Sequence, residues 1–211
     1  MSGPTLVIEL ERQPSPTVLR DFRALMVGLS SRFEEKRPGF YDVNVDAERL
    51  GVAVDGREED RPKPYPLPLL GDAPGDEGLA GLVGFDPRRV DGHRPFLVYL
   101  MGVGGEDESL FEAEHAEETD IEAVLGFKPT HAVNVSACCN REIDHLATAL
   151  LTATVMDVIG GVAKAELPDA QVPVVSGLPG VLGAGDDDWA VLGSAGFLRA
   201  WAAHPSFRLL K

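Results

Sequence analysis

Two periods of hydrophobic and polar positions divide this chain into strands and helices. TLVIEL (5–10) reads as a short strand. Ser15 as an N-cap and Pro16 at the first helical position then open a helix through SPTVLRDFRALMVGLSSRFEEKR. Val18, Phe22, Leu25, Leu29 and Phe33 fall at helical spacing within it, and Pro38-Gly39 marks its end. FYDVNVD returns to period two, and LGVAVDG is the expected hairpin partner. PFLVYLMGV (95–103) is apolar on both faces and predicts a central strand. The acidic stretch 106–125 carries Leu110, Phe111, Ile121, Val124 and Leu125 as helical anchors, and HAVNVSACC is the next strand.

Asn140 is placed to cap a long helix, REIDHLATALLTATVMDVIGG, which Gly160-Gly161 terminates. VAKAEL (162–167) and VPVV (172–175) predict strands, the second confined to an edge by Pro173. GLPGVLGAGDDD is expected to be a Gly-rich loop, WAVLG a short strand, and AGFLRAWAAH a final helix ended by Pro205. Residues 55–95 are rich in Pro, Gly and charge and predict a long loop-rich insertion. The whole implies one α+β domain over residues 1–211, a mixed, mostly antiparallel sheet with helices packed on it.

Charge narrows the functional classes. The net charge is −15, and residues 101–150 alone contribute −9 of it. Nine acids and no Lys or Arg lie between Glu106 and Glu122. Such a field repels nucleic acid and anionic membrane and attracts basic partners. The N-terminus has no signal-peptide pattern, and no apolar run is long enough for a membrane span. The two cysteines are neighbours, which disfavours a structural disulfide and fits a reducing, cytoplasmic setting. Arginine outnumbers lysine fourteen to five, a composition that suggests a GC-rich bacterium.

Several motifs fall short of chemistry. His115-x-Glu117 lacks the downstream P-C-x-x-C of a zinc deaminase. His131, Cys138, Cys139 and His145 lack paired zinc-ligand spacing, so core packing of the cysteines is favoured over metal. CNREIDH allows a Cys–His–acid system to be drawn from Cys138 or Cys139, His145 and Asp144 or Glu142, with no geometry fixed. GLPGVLGAG lacks the lysine and hydroxyl of a phosphate loop, and Asp186 to Asp188 lack EF-hand spacing. No cofactor or metal is implied.

The C-terminal FLRAWAAHPSFRLLK contains aromatics and bases but no acid. Phe197 and Trp201 share a helical face, so the tail is expected to close the core, with its bases near Asp186 to Asp188. CNREIDH, the IGG helix end and this tail together resemble a domain-of-unknown-function family of actinobacterial proteins, over roughly residues 96–211. Small acidic α+β proteins of that look often serve as immunity proteins, an analogy of fold and charge. The resulting expectation is a non-catalytic binding protein, an antitoxin that occludes a basic toxin domain such as a nuclease. Glu106, Asp107, Glu108, Glu112, Glu114, Glu117, Glu118 and Asp120 are its candidate partner-binding residues. The alternatives are a structural or regulatory interaction protein, a homo-oligomer included, or a cysteine/histidine-dependent enzyme using the CNREIDH region.

Overall fold

The computed structural model describes residues 3–52, 92–105, 107–115, 119–167, 171–184 and 190–210. Most of the expected 55–95 insertion, residues 55–91, lies outside the described residues, as do Asp186 to Asp188. In chain order the elements are β1 (Thr5–Leu10), α1 (Pro16–Leu29), β2 (Ser30–Arg37), β3 (Phe40–Asp46), β4 (His93–Gly102), α2 (Glu108–His115) and α3 (Thr119–Leu125). There follow β5 (His131–Ala137), α4 (Glu142–Ile159), β6 (Val162–Glu166), α5 (Val172–Val175), β7 (Val181–Ala184), β8 (Ala190–Gly193) and α6 (Ala195–Ala202). The eight strands form one sheet in the order β2-β3-β4-β5-β1-β6-β8-β7, and every described pair is antiparallel. The fold is a single α+β domain, as the alternating patterns predicted.

Strand alternation gives the sheet two different faces. Leu6, Ile8, Tyr41, Val43, Phe96, Val98, Val133, Val135 and Ala163 lie in register and are buried on one of them. α1, α4 and α6 cover that face; Phe22 and Met26 anchor α1, and Phe197, Leu198 and Trp201 anchor α6. α4 is apolar almost all round, as expected of a helix enclosed by its neighbours. Its buried Thr148 and Thr152 hydroxyls donate to the carbonyls of Asp144 and Thr148, which removes the cost of burying them unpaired. The tail does close the core: Trp201 is fully buried, its ring stacked on His204 and edge-on to Phe207. Arg199 pairs with Asp157 of α4.

The expected helix from Ser15 is too long. α1 ends at Leu29, where Ser30 turns extended and its hydroxyl donates to the Met26 carbonyl at 2.6 Å. Beyond it Phe33, Glu35 and Arg37 are half-buried and alternate with exposed Arg32, Glu34 and Lys36, which is strand periodicity. Phe33 packs on Tyr41 of β3 with ring centroids 5.5 Å apart, so pairing with β3 outweighs the helical spacing of Phe33. VPVV is a helical turn instead of an edge strand, with Pro173 in the first turn where its missing N–H costs nothing. Part of the expected Gly-rich loop is strand β7. Gly183 admits α3 there: a Cβ at that position would lie 2.6 Å from Val124. β3 pairs with β2 and β4, and the sequence after it forms a 3-10 turn at Ala47–Leu50.

Candidate functional site

The opposite sheet face carries Thr5, Glu9, Asn134, Ser136 and Lys164, and among the described residues it is only partly covered. α2 crosses it, inserting Phe111 against Met101 and Ala132, with Val7 and Tyr99 alongside. Three ionisable side chains meet at the C-terminal end of α2. Glu9 of β1 is fully buried, Lys164 of β6 is 6% exposed, and His115 ends the helix. His115 Nε2 stands 2.8 Å from Glu9 Oε2, and its Nδ1 2.8 Å from the Phe111 carbonyl oxygen. Lys164 Nζ is 3.7 Å from Glu9 Oε1, an ion pair across β1 and β6. Burial opposes charge on His115, but the hydrogen bond and charge of Glu9 outweigh it and hold its pKa above the ordinary value. Beside this group Thr5 Oγ1, Ser136 Oγ and Asn134 Oδ1 form a hydrogen-bonded row on the open part of the face.

The outward side of α2 is different. Glu112 is exposed and Glu108 and Glu114 are half-buried, while Leu110 is an exposed apolar residue at 38%. Val103, 53% exposed, precedes the helix in the turn from β4. Asp107 pairs with Arg37 at the end of β2, whose guanidinium also lies over Phe40 at 5.0 Å. Burial raises the pKa of Tyr99, and the negative charges of Glu114 and Asp107 raise it further, so the acidic field extends onto the sheet. Glu106, Glu117 and Glu118 lie outside the described residues, as does the side chain of Asp120. Of the eight acids singled out in the sequence, Asp107, Glu108, Glu112 and Glu114 are therefore gathered on α2 and its approach.

Within CNREIDH, the hydrogen bonds of His145 and Asp144 go to groups other than the cysteines. β5 ends at Ala137, so the cysteines sit in the bend beyond the strand, Cys138 exposed and Cys139 half-buried. Neither is the buried core residue expected. Burial, and then the charges of Asp42, Cys139 and Asp144, raise the Cys138 pKa and make its thiolate scarce. Asp144 turns into the core: its Oδ1 accepts from Arg94 Nε at 2.6 Å and its Oδ2 from the Arg141 N–H at 2.7 Å. Asn140 does not cap α4; its Oδ1 instead faces His145 Nε2 at 3.0 Å. His145 Nδ1 accepts the Leu209 N–H at 3.3 Å, which ties the tail to α4. Burial and the nearby Arg208 charge lower the His145 pKa. Both ring nitrogens and both carboxylate oxygens are thus committed to structural partners. An open cleft of about 230 Å³ lies above them, lined by Asn140, Glu142, His145, Phe207 and Arg208. Among the described residues no group of three or more His, Cys, Asp and Glu converges as metal ligands, and no helix is long and apolar enough to cross a membrane.

A profile for a family of unknown function, DUF6368, matches residues 2–211, nearly the whole chain. The chain belongs to that family. Its membership extends well beyond the second half that carried the resemblance and includes β1, with Glu9, and the 55–95 segment. No curated protein and no solved structure matches the chain.

Glu9 and Lys164 were not candidates from sequence. Glu9 stands in TLVIEL at a polar-face position, and Lys164 at the polar-face position of VAKAEL. Strand period places both on the solvent side, whereas in the folded chain Glu9 is fully buried, with His115 of α2 against it, and Lys164 is 6% exposed.

Proposed function

We propose that this protein is a non-catalytic binder of the immunity type, cytoplasmic in an actinobacterial producer, that occludes a basic toxin domain such as a nuclease. The observation that carries the reading is the two-sided construction of α2. Phe111 and His115 fix one side of the helix to the sheet, while Glu112 and Leu110 stand outward. A fixed acidic helix with an apolar residue among its charges suits a partner of opposite field, because opposed charges speed encounter and an apolar centre slows dissociation. The proposed docking surface comprises Asp107, Glu108, Glu112 and Glu114, and the sequence adds Glu106, Glu117, Glu118 and Asp120 as further candidate residues.

The test is parallel capture from lysate of the source organism on the wild-type chain and on Glu112→Lys/Glu117→Lys/Glu118→Lys. A single basic protein, retained in equal amount by wild type, released by salt and missed by the variant, is the expected result. Its toxicity should be suppressed by adding the wild-type chain. Equal retention by both baits, or a captured protein whose activity the chain leaves unchanged, would refute the proposal.

A further inference from the structure

The hydrogen bonds around His115 fix a proton count. The Phe111 carbonyl can only accept, so the Nδ1 of His115, 2.8 Å away, carries a hydrogen. Nε2 lies 2.8 Å from Glu9 Oε2, and two lone pairs do not face each other at that distance, so a proton lies between these atoms as well. It sits on the imidazole with Glu9 as carboxylate, or on Glu9 with the imidazole neutral; the pair holds one proton in either case. The positive charge of Lys164, 3.7 Å from the other carboxylate oxygen, favours the carboxylate–imidazolium form. Glu9 Oε1 is buried without a hydrogen-bond partner, so the hold on this carboxylate comes from His115 on Oε2 and the charge of Lys164.

We propose that α2 is a proton-operated latch: one proton shared between His115 Nε2 and Glu9 Oε2 holds the helix on the sheet, and its loss releases the helix. The geometry suits the role. His115 is the last residue of α2, and its contact with Glu9 joins positions 106 residues apart. Phe111, one turn earlier, stacks on the imidazole with centroids 4.1 Å apart, so the apolar anchor and the ionic one move together. Among the described residues, the charged groups that act on the ring are Glu9 from β1 and Lys164 from β6, while Tyr99 of β4 packs in the Phe111 cluster and feels the charge of Glu114. β5 contributes uncharged Ala132 and Asn134 to this face. Deprotonation brings the Nε2 lone pair against a buried carboxylate and leaves Oε2 without its donor, a cost that undocking relieves.

The sign follows from the protonation. The docked helix binds the proton more tightly than the released one, because in water His115 returns to its ordinary value near 6.5. The latch is complete below that value and is lost as pH rises through the higher docked value. Between the two, the opening equilibrium increases by at most about tenfold per pH unit, and above them it levels off. On the docking reading above, the latch would switch the partner surface off in alkaline conditions. The test below uses no partner, so the two proposals fail separately.

Hydrogen exchange of the 108–115 amides, corrected for intrinsic rates, is measured from about pH 6 to about pH 9 on wild type and on His115→Gln. A glutamine donates to Glu9 without titrating. The wild-type helix should lose protection as pH rises, by up to about tenfold per unit, while the variant stays level and the α4 amides are unchanged in both. A level wild-type profile, or an equal loss in the variant, would overturn the latch. Nitrogen-15 spectra of the wild-type imidazole give a measurement independent of whether the variant folds. Near pH 6.5 both ring nitrogens of His115 should be protonated, or Nδ1 alone with the second proton on Glu9 across a short hydrogen bond. An Nε2 that carries no proton and receives none from Glu9 overturns the proposal.

Discussion

Asp144→Ala should be among the most damaging single substitutions in this protein, although Asp144 touches no candidate binding surface. Its carboxylate is fully buried and serves two donors, Arg94 Nε at 2.6 Å and the Arg141 N–H at 2.7 Å. Removing it leaves a guanidinium that is 3% exposed without its counter-charge, which costs roughly 3–5 kcal/mol in buried pairs. The lost acceptor at the start of α4 adds about 1 kcal/mol. A loss of about 4–6 kcal/mol is therefore expected, a large share of the roughly 5–15 kcal/mol that holds a domain together. Urea unfolding followed by tryptophan fluorescence measures it, since Trp201 packs in the α6 layer against α4. Arg94→Met/Asp144→Leu is the control, because a buried pair replaced by apolar groups of similar volume is often neutral. The double variant should recover most of the loss. If Asp144→Ala costs under about 1 kcal/mol, or if the double variant is as unstable as the single one, Asp144 is not the structural keystone described here.

Other expectations follow from the same contacts. Trp201→Ala should cost about 3–5 kcal/mol of global stability, readable by circular dichroism melting; a change of a few tenths would place the tail outside the core. Phe111→Ala should remove exchange protection from α2 while leaving α4 protected, since Phe111 anchors the helix to Met101 and Ala132; equal loss in both helices would contradict this. His145 responds to pH in the direction opposite to His115. Its pKa is lowered in the folded protein, so its contribution is complete above the ordinary value near 6.5 and declines as pH falls below it. Protonated Nδ1 no longer accepts the Leu209 N–H, so the Leu209 amide should exchange faster in acid, and His145→Gln should flatten that dependence. Gly183→Ala should loosen α3 from β7, because its Cβ would meet Val124 at 2.6 Å, with an expected cost of about 1–3 kcal/mol by thermal melting.

Much of this architecture was legible in the chain. TLVIEL, the period two of FYDVNVD and HAVNVSACC located three central strands, the last ending at Ala137, and Ser15-Pro16 and Gly160-Gly161 marked one helix start and one helix end. The failures share a physical cause. β2 was hidden because Phe33 continues the helical spacing of Leu29, and only its cross-strand contact with Tyr41 decides between the two periods. β7 was hidden because glycines read as loop, whereas Gly183 serves the close approach of α3. The acidic surface was plain from charge counting, since charge is a property of the sequence itself. Its anchor was not: Glu9 and Lys164 occupy ordinary solvent-side positions in their strands, and the contact of Glu9 with His115 joins residues 106 apart in the chain. The sequence neighbours of His115 point towards metal chemistry, whereas its partner in the fold is Glu9 of β1.

The proposed docking of a basic partner is tested most directly by its association rate constant at rising salt, for wild type and for Glu112→Lys/Glu117→Lys/Glu118→Lys. Steered association gains about tenfold or more from opposed fields and loses that gain with ionic strength. Wild type should therefore associate at least about tenfold faster than the variant at low salt, and the two rates should converge as salt is added. Equal rate constants with equal salt dependence would contradict the account.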